Sequence, residues 1–246
     1  ELQHHFRWTE QHDIVWGTGY RNSSDDILPA SYIHWTPQQA TLQLANVFLQ
    51  DEITLVPDRL TVTVGTKFEH NNVTSLEIQP GVRGLWTPTE TQTIWGAVAR
   101  ATRSPSRLNL HGQGIVGFQE LMPGVPPAIV TMRGNPNLKS EELYSYELGY
   151  RAAVTHRLSV DLATFYNDHP RMISLAPAAP VFVLEPVPHM ALPLDWATAS
   201  GNRAFGAEAA VQALLTDSWR LAAHYSFQNG RVPNVGLPPT TVNLTQ

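Results

Sequence analysis

Apolar and polar side chains alternate one for one over long runs of this chain. That period of two fits strands and is incompatible with helices, whose apolar residues recur every three or four. From Leu60 to Glu69, Leu60, Val62, Val64 and Phe68 fall on one face and Thr61, Thr63, Lys67 and Glu69 on the other. In the next run Leu76, Ile78, Val82 and Trp86 oppose Glu77, Gln79 and Arg83, and further on Tyr144, Tyr146, Leu148 and Tyr150 oppose Ser145, Glu147, Gly149 and Arg151. Leu158, Val160 and Leu162 face away from Ser159 and Asp161, as Trp219, Leu221, Ala223, Tyr225 and Phe227 do from Arg220, His224 and Gln228. With less regular segments at 2–9, 14–21, 41–55 and 95–101, about ten strands are expected.

The lengths of runs and links narrow the class. A strand that crosses a bilayer on a tilt needs about 9–11 residues, whereas strands of water-soluble domains average about 5–6. The runs here are of the longer kind. Tight links at 10–12, 57–59, 88–90, 155–157 and 216–218 alternate with a short link at Asn71-Asn72 and long loops at 22–40, 103–141 and 171–202. Short turns at one end and long loops at the other are the pattern of outer-membrane barrels. Trp8, Trp16, Trp86, Trp95 and Trp219 lie near the short turns, where a girdle of interfacial aromatics is expected. The expected fold is all-β, an antiparallel transmembrane β-barrel segment. A soluble β-sandwich with aromatic core residues is the alternative.

Composition excludes other classes. Charged residues make up 15% of the chain, against roughly 25% in ordinary soluble domains. No apolar stretch approaches the ~20 residues of a membrane-spanning helix. With no Cys, thiolate metal sites and cysteine nucleophiles are ruled out. A net charge of −5 without basic clusters gives no surface for nucleic acid. The ten His lack the spacing of a metal motif, and no nucleophile elbow or carboxylate pair points to an enzyme, so neither cofactor nor metal is expected. Gly112-Gln113-Gly114-Ile115-Val116-Gly117 fits GxGxxG but lies in a long loop, away from the strand and helix a dinucleotide fold requires, and is read as flexible loop. His34, His111 and His189 are loop residues that could touch a metal chelate or supply ordinary loop polarity. The sequons at Asn22, Asn72 and Asn243 carry no meaning in a bacterial barrel.

Two stretches resemble a known family. Asn135-Pro136-Asn137-Leu138-Lys139-Ser140-Glu141, followed by Tyr146-Glu147-Leu148-Gly149-Tyr150-Arg151, is similar to the "NPNLKPE…YELGYR" signature in barrels of TonB-dependent receptors, with Ser140 where the family usually has Pro. Gln79-Pro80 through Trp86-Thr87-Pro88-Thr89 and Ile94-Trp95-Gly96-Ala97-Val98-Ala99-Arg100-Ala101-Thr102-Arg103-Ser104-Pro105-Ser106 resembles the hairpin that precedes it in that family. Phe48-Leu49-Gln50-Asp51-Glu52 and Phe165-Tyr166-Asn167 extend the likeness. The resemblance implies a barrel of about 22 strands filled by an N-terminal plug. It also implies import of a scarce nutrient, such as a ferric siderophore, haem or cobalamin, with energy from the TonB complex. Residues 1–246 are then expected to be part of that barrel, without the plug, the TonB-contacting N-terminal segment or the C-terminal strands.

Within this frame Lys67, Glu69, Arg83, Arg100, Glu147 and Arg151 are expected to face the lumen, as solvated wall, plug contacts or guides for a ligand. The opposite face is expected to meet outer-membrane lipid. The loops at 103–141 and 171–202, with Phe118, Leu121, Met122, Val181, Phe182 and Trp196, either pack on one another or meet an organic ligand. A passive porin or surface-binding barrel is the rival function.

Overall fold

The structure, a computed structural model, describes residues 1–122, 124 and 126–230; the sequon at Asn243 and the chain's last residues lie outside the described residues. Ten strands form one continuous antiparallel wall: β1 (Leu2–Arg7), β2 (His12–Asp26), β4 (Gln39–Val56), β5 (Leu60–Asn71), β6 (Ser75–Thr89), β7 (Gln92–Arg103), β10 (Glu141–Thr155), β11 (Leu158–Pro177), β13 (His189–Thr216) and β14 (Trp219–Gly230). Four short strands, β3 (Ile33–Trp35), β8 (Gly112–Gln119), β9 (Ala128–Arg133) and β12 (Val181–Val183), and one helical turn, α1 (Arg107–His111), lie in the links. Among the described residues all strands belong to a single sheet, so the sandwich arrangement of two packed sheets is not adopted there.

Register explains why alternation is so regular. Val62 is paired with Ile53, Val64 with Val82, and Val82 in turn with Val98, so apolar residues of neighbouring strands form rows on one face. Val47, Leu49, Phe68, Val82, Val98, Tyr146, Leu148 and Tyr225 on that face are all exposed, a contiguous apolar surface that water would not tolerate and lipid would cover. Trp16 and Trp86 lie on this face near the short turns, and Trp8 and Trp219 stand at the turns themselves. Trp95 does not join them. It is paired with Gly149 and has the parity of Ala97, which faces Arg83 and Glu147, so it belongs to the polar, concave side. The tight turns need little sequence; Asp58 accepts a left-handed backbone (φ 57°) in the turn after β4, as short polar residues do.

The long links hold more structure than their composition suggests. β2 continues to Asp26, β11 to Pro177, and β13 runs for 28 residues, well beyond a membrane crossing. The GxGxxG stretch is strand β8, paired with both β9 and β3, rather than flexible loop. β9 in turn pairs in parallel with the upper part of β13, Ala191–Asp195. The buried apolar cluster of Leu110, Leu138 and Ile173, flanked by Val73 and Trp196, therefore sits at the long-loop end. The wall itself buries little, because its apolar side faces outward.

Candidate functional site

The concave face carries two adjoining open cavities. One, of about 760 Å³, is lined among others by Glu52, Thr61, Thr63, Lys67, Gln79 and Arg83; the other, of about 430 Å³, shares Phe48 and Lys67 and adds Arg21, Asn46 and Glu69. Lys67 Nζ donates to Glu69 Oε2 at 2.8 Å, and Arg151 Nε donates to Asp161 Oδ2 at 2.6 Å on the same face. Glu147 accepts from Ser145 Oγ at 3.2 Å. The guanidinium of Arg83 lies 5.2 Å from the centre of the Trp95 ring, a cation over a π face. Beneath that ring is Gly149, where a Cβ would collide with the indole. Phe48 over Gly17 and Phe165 over Gly206 repeat the arrangement, so aromatics lie flat along the wall wherever the paired residue has no side chain.

Arg100 differs from the other five expected lumen residues. In β7 it shares parity with Ile94 and Val98, the apolar side, and pairs with Tyr144. The reason lies in β6, whose residues Ser75 to Gln79 and Pro80 have no partner in β7; pairing begins at Gly81 with Ala99. Proline cannot donate to a ladder, and its position coincides with the end of the pairing. Arg100 fills the seam. It donates to the carbonyl of Ile78, a strand acceptor on this unpaired stretch, and Arg100 Nε donates to Glu142 Oε1 at 2.9 Å. Its Nη2 stands 3.9 Å from Glu77, itself 7% exposed. A charge on the apolar parity is tolerated because it is paired there at the loop end of the strands.

The signature segment is the hinge between loops and wall. Asn135 to Leu138 forms a turn in which Leu138 N–H donates to Asn135 O at 3.4 Å, and Pro136 supplies the fixed φ such a turn favours. Asn135 Oδ1 accepts from Asn137 N at 2.9 Å, and Asn135 Nδ2 donates to Trp196 O at 3.0 Å. Leu138 then enters the buried cluster. Ser140, where the family usually has Pro, is 1% exposed and donates from Oγ to Glu77 Oε1 at 2.5 Å, so the departure gives a buried carboxylate its donor. Glu141 accepts from Ile173 N at 2.8 Å and pairs with Arg103; Lys139 lines a small cleft with Arg100 and Arg171. Beyond it Tyr146, Leu148 and Tyr150 take the lipid side, and Glu147 and Gly149 the concave one.

Sequence reasoning did not find the contacts that join the loops to one another. α1 is capped by Ser106, whose Oγ accepts from Asn109 N, and this turn presents Arg107 to Asp25 Oδ1 at 3.1 Å and to the carbonyls of Pro37 and Gln38 at 2.5 and 3.0 Å. Burial, with Arg107 adding to it and Asp25 opposing, holds the His111 imidazole below its ordinary pKa. Arg133 grips Asp195 with two hydrogen bonds of 2.6 and 2.9 Å, which raises the guanidinium pKa further. A Ser-Pro-Ser-Arg cap is legible in a sequence; a partner 82 residues away is not. Among the described residues no group of three or more His, Asp or Glu could hold a metal.

The family model described as "TonB dependent receptor-like, beta-barrel" matches residues 1–246. The iron-regulated outer membrane virulence protein of Vibrio cholerae is 25% identical over 184 residues, which is 73% of this chain and 26% of that protein. Among solved structures, a mutant of the ferric enterobactin receptor of Pseudomonas aeruginosa in complex with enterobactin is similar at a TM-score of 0.75, with 18% identity, over 93% of this chain and 34% of that one. The siderophore receptor PirA of Acinetobacter baumannii is similar at 0.73, with 14% identity, over 92% of this chain and 35% of that one. The chain thus spans about a quarter to a third of the length of these relatives.

Proposed function

We propose, because the chain belongs to the TonB-dependent receptor-like β-barrel family across residues 1–246, that it builds part of the wall and mouth of a receptor that imports a scarce nutrient by active transport. Its place is the outer membrane of a Gram-negative bacterium. The observation that carries the reading is the asymmetry of the two ends. One end has only tight turns, while at the other the links fold into their own strands and buried apolar cluster, a built surface for capturing a ligand.

In this reading Lys67, Glu69, Arg83, Glu147 and Arg151 line a polar lumen against which a plug rests. The ten strands are then a sector of a barrel of about 22. The TonB complex acts through an N-terminal region outside these residues. The relatives named for siderophores and iron make a ferric siderophore the first candidate ligand, with haem and cobalamin as further members of the class.

The test is uptake of radiolabelled ferric enterobactin by iron-limited cells that carry or lack the full-length gene, with and without a protonophore. Uptake should need both the gene and the proton gradient. Gene-dependent uptake that continues unchanged in de-energised cells and rises linearly with concentration would point to a passive porin instead.

A further inference from the structure

The hydrogen-bonded order does not stop at the wall. From β13 it passes to β9, β8 and β3, and β3 lies inside the link between β2 and β4. The loop end therefore holds a closed circuit. Along the wall, β13 to β4 is six strand spacings, about 29 Å at ~4.8 Å each; through the loop strands, β13 to β3 is three, about 14 Å. The four residue steps from Trp35 to Gln39 add at most about 14 Å before β4 begins. The loop route is no longer than the wall, and Arg107, on the link after β7, reaches Asp25, which shares the concave parity of Gly17 and Arg21 in β2, so the circuit closes as a chord on the concave side.

The two ends of this chord are fastened differently. At β13, β9 is held by five register pairs and the Arg133–Asp195 fork, and its Ala128, Val130 and Met132 are buried. At β3 there are three register pairs, with Ile115 N–H donating to Tyr32 O at 2.8 Å and Thr36 N–H to His111 O at 3.0 Å. The Arg107 contacts to Asp25, Pro37 O and Gln38 O complete that joint. No residue of 27–38 belongs to the buried apolar core, and Leu28 and Tyr32 are 75% and 68% exposed. Gly114 is what lets the strands meet, since a Cβ there would strike the carbonyl of Tyr32. A contact built mainly from a few directional bonds, in which Ile33 and Trp35 are only half-buried, opens at lower free energy than the elements around it.

We propose that β9, β8 and β3 form a strap across the concave side of the mouth, permanently anchored at β13 and released at the β3–β8 joint, with Arg107 as its latch. The proposal rests on the receptor reading for its purpose, which is to admit a ligand to the lumen. Its geometry stands apart from that reading.

The test uses the full-length receptor in the outer membrane with His34→Cys and Gln113→Cys, direct antiparallel partners across the joint. Such pairs lie about 4.5–5.5 Å apart at Cα, within disulfide range. Gln79→Cys, on the concave cavity wall, reports access through its reaction with a membrane-impermeant maleimide, read on its own peptide by mass spectrometry. Oxidation of the pair should slow labelling of position 79 by roughly tenfold or more, as expected when a minor open state is removed, and reductant should restore it. Arg107→Ala without the pair should speed labelling. Failure of the disulfide to form in assembled receptor would overturn the β3–β8 joint, and equal labelling in locked and reduced states would overturn the strap. A clear labelling difference in cells that take up no ferric enterobactin would count against that ligand and leave the strap standing.

Discussion

Leu148→Arg tests the assignment of faces most directly. Leu148 stands midway along β10, 58% exposed, and its paired neighbours are Gly96 and Thr164. Seven residues separate it from either end of the strand, about 24 Å of chain at ~3.4 Å per residue, or roughly 18 Å of height at a tilt of about 40°. That exceeds half of the ~25 Å apolar band, so a guanidinium at 148 begins near the midplane, and Thr164, its one polar paired neighbour, already donates its hydroxyl to the Leu148 carbonyl. The expected cost is about 2–4 kcal/mol, which is roughly 30-fold to 700-fold in the folding equilibrium. Thr63→Arg on the opposite face, beside Arg83 in register, should change stability by less than about 1 kcal/mol. The assay is reversible unfolding in urea of the full-length receptor refolded into lipid vesicles, followed by Trp fluorescence. Equal losses for the two variants, or a larger loss for Thr63→Arg, would refute the parity on which the lipid and lumen faces rest.

Other consequences are narrower. Gly149→Val should displace the Trp95 ring and cost about 1–3 kcal/mol; adding Trp95→Ala should recover part of it, which the same urea titration reads. Ser140→Ala leaves the buried Glu77 without the hydroxyl that donates to it and should cost about 1–3 kcal/mol, whereas Ser140→Thr, which keeps a hydroxyl, should cost less. His111 is held below its ordinary pKa in the fold, so the unfolded loop binds the proton more readily. The stability this contributes is complete above the unfolded value of about 6.5 and is lost as pH falls from there towards the lower folded value. Amide exchange of residues 107–115, corrected for intrinsic rates, should therefore be better protected at pH 7.5 than at pH 5.5, and His111→Gln should flatten the difference.

The wall was readable in the sequence because lipid on one side and water on the other impose a period of two that nothing else interrupts. Val62, Val64 and Phe68 needed no knowledge of their neighbours to be assigned a face. Trp95 and Arg100 needed it. Trp95 sits near a short turn as girdle residues do, yet its place is decided by Gly149 on the adjacent strand, a vacancy that a single run does not reveal. Arg100 follows the strand's alternation onto the apolar side, and its burial there depends on a seam opened at Pro80, on a different strand. The loop strands were hidden for a related reason. Gly112 and Gly114 read as flexible because glycine is permissive, but in β8 they are small so that another backbone can approach.

The two ends of the molecule are held by different forces, and this separates what perturbs each. The wall's apolar residues face outward, so its cohesion in the membrane comes from ladders of hydrogen bonds that have no aqueous competitor and from charge pairs such as Lys67–Glu69 and Arg151–Asp161 on the concave side. The loop end lies in water and relies on apolar burial around Leu110, Leu138 and Ile173, with forks such as Arg133–Asp195 fixing its strands. Ser140 and Glu77 join the two regions at the base of the signature segment. A motif at that junction holds the loop end at a fixed height and angle on the wall. The segment from Asn135 to Glu141 is therefore a mounting that ties the loop strands and the buried cluster to the wall at the start of β10.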